Sequence, residues 1–236
     1  MQKISVCIAT YNGQDYIEEQ IESILRQLSI GDEILISDDG STDETASIIE
    51  NIGDARISVI KSEGPKGLLR NIETALVKAT GNYIFLADQD DVWIFGKVKS
   101  MVAALDLYHV VVCDCSVTDA NLNVIHPSFY HHQKSGSGLL KNLWRNSYIG
   151  CCMAMRREVL DKAIPFPKDT PMHDWWIGLV GEAAFSTKFI SESLVFHRRH
   201  GKNLSLTSQG SSFSIMRRLQ WRVILIKNLI HRLYFT

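Results

Sequence analysis

Apolar and polar positions run through this chain in two rhythms. Residues 4–9, Ile-Ser-Val-Cys-Ile-Ala, form a short apolar run rich in β-branched residues, which predicts a buried strand. Residues 15–28 then place Ile17, Ile21, Ile24, Leu25 and Leu28 at helical spacing. The alternation repeats. Glu-Ile-Leu-Ile-Ser-Asp predicts a second strand, followed by a helix through Ala46, Ile48 and Ile49. Ile-Ser-Val-Ile-Lys predicts a third strand, followed by a helix with Leu69, Ile72, Ala75 and Leu76. The fourth strand starts at Tyr83 and runs into Asp88-Gln89-Asp90-Asp91. Strand–helix repetition of this kind predicts an α/β fold, a parallel twisted sheet with helices on both faces. Ligands of such sheets bind beyond the carboxyl ends of the strands. The polar clusters Thr10-Tyr11-Asn12, Asp38 to Asp43, Gly67 to Asn71 and Asp88 to Asp91 are therefore expected in one cleft.

The second half is less regular. His109 to Asp119 predicts a strand, and residues 126–147, polar and rich in Ser, Gly, His and Lys, predict loops. Ser147 to Leu160 predicts a strand passing into a helix. Thr170 to Phe185 predicts a helix with Thr170 as N-cap and Pro171 at its first position. Lys188 to Asn203 predicts a strand pair and a basic loop carrying His197 and His200. From Phe213 on, Ile215, Leu219, Val223, Ile226, Ile230 and Leu233 share one face of a helix.

Charge alters the picture at that tail. The chain of 236 residues has a formal net charge of -1, but no Asp or Glu follows Glu192. Eight cations lie beyond it, five of them in the last helix, which leaves residues 1–192 at -9. A basic amphipathic helix with a tryptophan predicts an interfacial membrane anchor; a cover for the core domain or for a second copy of the chain is the alternative. Nucleic acid is excluded as a partner, because the cations sit on an apolar helix beside an acidic body. The five cysteines, odd in number and without zinc-site spacing, predict reduced, buried thiols in a cytosolic protein. No signal peptide or bilayer-spanning run is expected.

The carboxylates carry the candidate chemistry. Asp88, Asp90 and Asp91 end a buried strand with like charges that raise one another's pKa, so a cation is expected among them. Hard oxygen donors suit Mg²⁺ or Mn²⁺, with a diphosphate as further ligand. On an extended segment Asp88 and Asp90 face one ligand while Asp91 starts the next element. Ser41 or Thr42 is expected to cap the following helix. Asp38 or Asp39 offers acceptors to a ribose hydroxyl or a base N–H. Lys66 and Arg70 offer cations to phosphate oxygens, and Gly64 and Gly67 permit close backbone approach.

In order and spacing these clusters resemble the family 2 glycosyltransferases of the GT-A fold. The likeness rests on Ala9-Thr10-Tyr11-Asn12, Asp38-Asp39-Gly40-Ser41, Gly67 through Arg70-Asn71 and Asp88-Gln89-Asp90. It continues through Gly150 to Glu158, Met172 to Trp176 and Arg198 to Asn203, covering about residues 3–205. Asp88 to Trp93 and His173 to Trp176 are most similar to bacterial rhamnosyl-, glucosyl- or galactosyltransferases that build O-antigen or capsule repeat units.

The resemblance implies a nucleotide-sugar half over 1–93, an acceptor half over 94–205 and the separate helix of 213–236. It implies that Ala9, Tyr11 and Asp39 hold the nucleoside of a UDP- or dTDP-linked donor. Arg70 would lie near phosphate, Asp88 near ribose or metal, and Asp90 would be the principal metal ligand. Asp174 would be the general base for an inverting displacement. The commoner motif there is Glu-Asp, so His173 is a departure, assigned to acceptor positioning. Trp175 and Trp176 are expected to divide between core packing and stacking on the acceptor sugar. His200 either completes the metal site or lies in a solvated loop. The implied acceptor is a sugar on a polyprenyl diphosphate at the cytoplasmic face of the inner membrane. A nucleotidyltransferase and a non-enzymatic sugar-nucleotide-binding protein are the competing readings.

Overall fold

The computed structural model describes residues 2–62, 66–201 and 214–235. The expectations for Gly64, Lys202, Asn203 and Phe213 lie outside them. The first half alternates as its periodicity dictates. Strands β1 (Ile4–Thr10), β2 (Glu33–Asp38), β3 (Ile57–Lys61) and β4 (Tyr83–Asp88) are connected by helices α1 (Ile17–Leu25), α2 (Thr45–Ile52) and α3 (Leu68–Lys78). The pairings β1–β2, β1–β4 and β2–β3 are all parallel. β1 and β4 are buried on both faces, as near-continuous apolar runs require. α1 turns Ile17, Ile21 and Ile24 into the core and leaves Glu18, Glu19 and Glu22 in solvent.

The second half extends the same sheet. It comprises β5 (Val92–Trp93), α4 (Lys97–Leu105), β6 (Val110–Thr118), β7 (Val124–His126), α5 (Phe129–Gln133), α6 (Leu139–Trp144), β8 (Met153–Arg156), α7 (Arg157–Ala163), α8 (His173–Ala184), β9 (Thr187–Arg198) and α9 (Ile215–Tyr234). Among the described residues the sheet has nine strands, ordered β3-β2-β1-β4-β8-β6-β9-β5, with β7 paired to β6. β8 runs antiparallel to both β4 and β6 and so joins the parallel half to the mixed half.

Several local expectations are corrected. Neither Ser41 nor Thr42 caps α2. The Ser41 hydroxyl donates to Asp38, and Asp43 accepts the Thr45 N–H at the helix start. α8 begins at His173 behind Met172, not at Thr170 and Pro171. Residues 187–198 form one strand with register shifts against β6 rather than a pair. The polar stretch 126–147 contains α5 and α6, where Ser128 caps α5 by accepting the His131 N–H. All five cysteines are buried thiols.

α9 also docks differently from its sequence pattern. The residues facing the core are Leu225 and Leu229, flanked by Trp221 and Leu233. The Arg232 guanidinium ties the helix down by donating to the Lys162 and Ile164 carbonyls. The stripe from Ile215 to Ile230 is exposed instead. Among the described residues, no helix is long and apolar enough to cross a membrane.

Candidate functional site

Beyond the carboxyl ends of β1, β2 and β4 lies a cleft of about 430 Å³. All four polar clusters reach it, through Thr10 and Tyr11, Asp39, Gly67, Leu68 and Asn71, and Asp88 to Asp90. The opposite wall comes from the second half: Ile149 and Gly150 before β8, Met172 to Asp174 at the start of α8, and His197 on β9.

The side of the cleft formed by β1, β2 and α3 is built from backbone ties. Asp39 follows β2, and its carboxylate accepts the Gly67 N–H at 2.8 Å, which holds the start of α3 against the cleft. Gly67 adopts φ +141, a conformation open to glycine and strained for other residues. Asp38, which the sequence left open as a ligand group, instead closes its own turn by accepting the Gly40 and Ser41 N–H groups. Asn71 donates to the Thr10 carbonyl at 3.0 Å. Ala9 and Tyr11 line the cleft, and Lys66 lies 5.4 Å from the centre of the Tyr11 ring. Arg70 does not line it. Its guanidinium pairs with Glu73 at 3.1 Å, beside a separate groove of about 590 Å³ between β3 and α3. The helical geometry of α3 explains this: three residues beyond Gly67, a side chain has turned away from the strand ends. Among the described residues, Lys66 is the lysine or arginine that lines the cleft.

The carboxylate side has excess negative charge. Burial, then the Asp91 and Asp90 carboxylates, push Asp88 up to about 8. Asp90 is raised by burial and by Asp91, and is partly relieved by His200, whose Nε2 stands 2.8 Å from its carboxylate. The His200 ring packs against Tyr16 with centres 4.7 Å apart and planes tilted by 32°. Asp91 does not simply begin the next element. It is fully buried, accepts the Arg198 N–H at 2.9 Å and meets His197 Nδ1 at 3.0 Å. Burial works to raise Asp91, but the His197 charge and hydrogen bond override this and hold it below the usual carboxylate range. Burial opposes protonation of His197, and Asp91 overrides it in turn. His197 is therefore a buried strand residue and not part of a basic loop.

Two carboxylates raised in this way, with an imidazole beside one of them, fit a divalent cation. One Asp91 oxygen is buried without a partner among the described residues. Ligand atoms of Asp88, Asp91, Cys151 and His197 lie within 4.8 Å of one another. Asp91 and His197 already neutralise each other, so the unbalanced charge rests on Asp88 and Asp90.

Across the cleft, Asp174 sits in the first turn of α8 and is buried. Burial pushes its carboxyl up to about 7, against hydrogen bonds from the Trp175 and Gly150 backbones and the Asn146 side chain. His173 is also buried; burial alone pushes it down to about 4, so it is neutral at pH 7. The acceptor expectation for Trp175 and Trp176 is corrected. Both indoles are buried away from the cleft and donate to carbonyls, Trp175 to Asn142 at 2.7 Å and Trp176 to Ala163 at 2.9 Å. Indole N–H groups need such partners once buried, and the carbonyls beside α8 supply them. Sequence reasoning passed over Gln89, the middle residue of Asp-x-Asp, and Gly150. Alternation along an extended segment points Gln89 away from the face of Asp88 and Asp90, so the sequence held no signal for its place in the cleft.

The architecture is the GT-A fold. S. aureus TarS in complex with UDP-GlcNAc superposes with a TM-score of 0.71 at 21% identity, over 98% of this chain and 69% of that one. A mannosyltransferase of Pyrobaculum calidifontis in complex with GDP-Man and Mn²⁺ gives 0.62 at 19% identity, over 86% and 58%. The chain belongs to glycosyl transferase family 2, whose sequence pattern matches residues 5–164. Among curated relatives, the Escherichia coli UDP-Glc:α-D-GlcNAc-diphosphoundecaprenol β-1,3-glucosyltransferase WfgD is 26% identical over 98% of this chain and 90% of its own length. WfaP of E. coli, with the same named activity, is 41% identical, over 43% of this chain and 41% of itself. The dTDP-rhamnosyl transferase RfbG of Shigella flexneri is 25% identical over 91% and 81%.

Proposed function

We propose that this glycosyltransferase moves a sugar from a UDP-hexose or dTDP-rhamnose donor to a hydroxyl of a polyprenyl-diphosphate-linked sugar, with inversion, in bacterial polysaccharide repeat-unit synthesis. Residues 1–93 hold the donor and 94–205 the acceptor. The observation that carries the reading is Asp174, a base tuned to about 7, in one cleft with the charge-excess pair Asp88 and Asp90. The names of the diphosphoundecaprenol-dependent relatives support the acceptor class, and with it a position at the cytoplasmic face of the inner membrane.

Ala9, Tyr11 and Asp39 hold the nucleoside, and Lys66 takes the phosphate role expected of Arg70. Asp90 and Asp88, with His200, would hold Mn²⁺ or Mg²⁺, which when bound neutralises charge on the nucleoside diphosphate. Neutral His173 offers its imidazole to the acceptor. Asp174 accepts the proton of the acceptor hydroxyl while that oxygen attacks the anomeric carbon. The bond to the diphosphate oxygen breaks, its electron pair leaves with the nucleoside diphosphate, and a single displacement inverts the centre.

The test is nucleotide release from a panel of sugar nucleotides, with a synthetic GlcNAc- or GalNAc-diphospholipid and with Mn²⁺ or EDTA. Acceptor-dependent release from one donor, lost in Asp174→Ala, is the expected result. Donor binding by calorimetry with no turnover on any acceptor would favour a binding protein.

A further inference from the structure

We infer that α9 and α6 together form a bilayer-docking surface selective for anionic lipid, carried rigidly beside the acceptor wall. The inference rests on the lipid-linked acceptor of the proposed function, and it assigns the residues that would meet the membrane.

α9 has two apolar faces with different fates. Leu225 and Leu229 are consumed by the core, while the stripe Leu219, Val223, Ile226 and Ile230 is left in solvent. At 3.6 residues per turn the two faces lie about a third of a turn apart. Docking on the core therefore does not use up the stripe. α6 adds to it. Leu140 and Trp144 are 81% and 69% exposed, unusual for side chains of that size. Arg222 on α9 binds the two helices together. Its guanidinium lies 4.7 Å from the centre of the Trp144 ring and donates to the Trp144 carbonyl. Because Arg222 is three residues after Leu219 and four before Ile226 on the helix, the indole it holds borders the stripe.

Charge identifies the occupant. Residues 214–235 contain no Asp or Glu; Lys227 neighbours Val223 and Ile230 on the helix, Arg217 and Arg218 stand in its first turn, and Lys141 and Arg145 lie at α6. Apolar side chains, a tryptophan and long cationic side chains on one surface match the boundary of an anionic bilayer, where the chain heads meet lipid phosphates. A second copy of this chain would set these cations against themselves. The surface is also fixed relative to the site. α6 begins where Glu182 of α8 accepts the Gly138 N–H at 2.8 Å, and Trp175 of α8 donates to Asn142 within α6. α8 carries Asp174 at its other end. Bilayer and general base are thus coupled through one rigid helix.

The experiment is co-sedimentation of the full chain with vesicles of phosphatidylcholine alone or mixed with phosphatidylglycerol, at low and raised salt. Binding to the mixed vesicles, weakened by salt and reduced at least tenfold in Leu219→Glu/Val223→Glu and in Leu140→Glu, is the expected result. Unchanged melting temperature and donor affinity in these variants establish that they fold. Equal binding to both vesicle types, or mixed-vesicle binding that survives all these substitutions, would overturn the proposal. So would a wild-type dimer in solution that the same substitutions dissociate, since a second copy would then cover the stripe. Vesicle binding is read without turnover, so loss of the glycosyltransferase reading would show separately, as absent donor binding.

Discussion

Gln89 grips the backbone of Tyr11 from both sides. Its Oε1 accepts the Tyr11 N–H at 2.9 Å, and its Nε2 donates to the Tyr11 carbonyl at 3.3 Å. The same Oε1 accepts the Thr10 hydroxyl at 2.7 Å. The residue between the two cleft aspartates thereby fixes the loop that presents Tyr11 to the cleft. A Cβ at Gly13 would stand 2.6 Å from that Oε1, so the loop has no room for a larger residue there.

Gln89→Ala should therefore weaken donor binding about tenfold, the worth of one or two neutral hydrogen bonds. Gln89→Glu keeps the acceptor but loses the donor to Tyr11, and should fall between. Gly13→Ala should act like Gln89→Ala by displacing the amide. Calorimetry with the donor reads all three; wild-type affinity in Gln89→Ala would remove the coupling.

Asp174→Asn should lower kcat by about 10²- to 10⁴-fold, the usual contribution of a general base, while leaving donor affinity within twofold. In the wild type, log kcat/KM should rise with pH and level off near 7, because the base works only when deprotonated and burial holds its carboxyl at about 7. A profile that is flat down to about pH 5 would contradict this assignment.

Asp88 links the cleft to stability. Its folded pKa of about 8 lies above the ordinary 3.8, so the folded state binds the proton more tightly than the unfolded one. In EDTA, stability should fall as pH rises between these values and then level off. Asp88→Asn should remove much of that fall. Mn²⁺ should flatten the wild-type curve. Thermal melts from about pH 5 to about pH 9 measure it, and a wild-type curve in EDTA parallel to that of Asp88→Asn would be the contrary outcome.

Arg70→Ala should leave donor affinity unchanged and cost about 1–3 kcal/mol of stability, because it removes a partner from the buried Glu73 carboxylate. Lys66→Ala should weaken donor binding. The two substitutions compared side by side in one calorimetric series decide which cation serves the cleft.

The strand ends were legible because buried parallel strands are written as apolar runs and their loops as polar clusters. Asp39, Asp88 and Asp90 could thus be read as cleft residues before any fold was seen, whereas Asp174 was indicated by the family resemblance. The direction of Arg70 was not legible, since it depends on where α3 starts, and that is set by Asp39 holding Gly67. The two tryptophans after Asp174 misled for a related reason. Their partners are carbonyls of Asn142 and Ala163, distant in sequence. α9 shows the same limit: its periodicity marks an apolar stripe, but only the packed molecule shows which flank the core consumes.

β4 and β5 are separated by the turn that carries Gln89 to Asp91, yet in the sheet order β8, β6 and β9 intervene. β5 finds its partner only in the last part of β9, where Val92 meets Phe196 and Trp93 meets Val195. Asp91 likewise waits for His197. The aspartate turn is therefore shaped by chain made about a hundred residues later. On the ribosome, a nascent chain that had completed β1 to β4 would still hold Asp88 to Asp91 as an unclasped loop. The clasp on Asp91 thus forms late in synthesis, and a fragment ending before β9 would lack it.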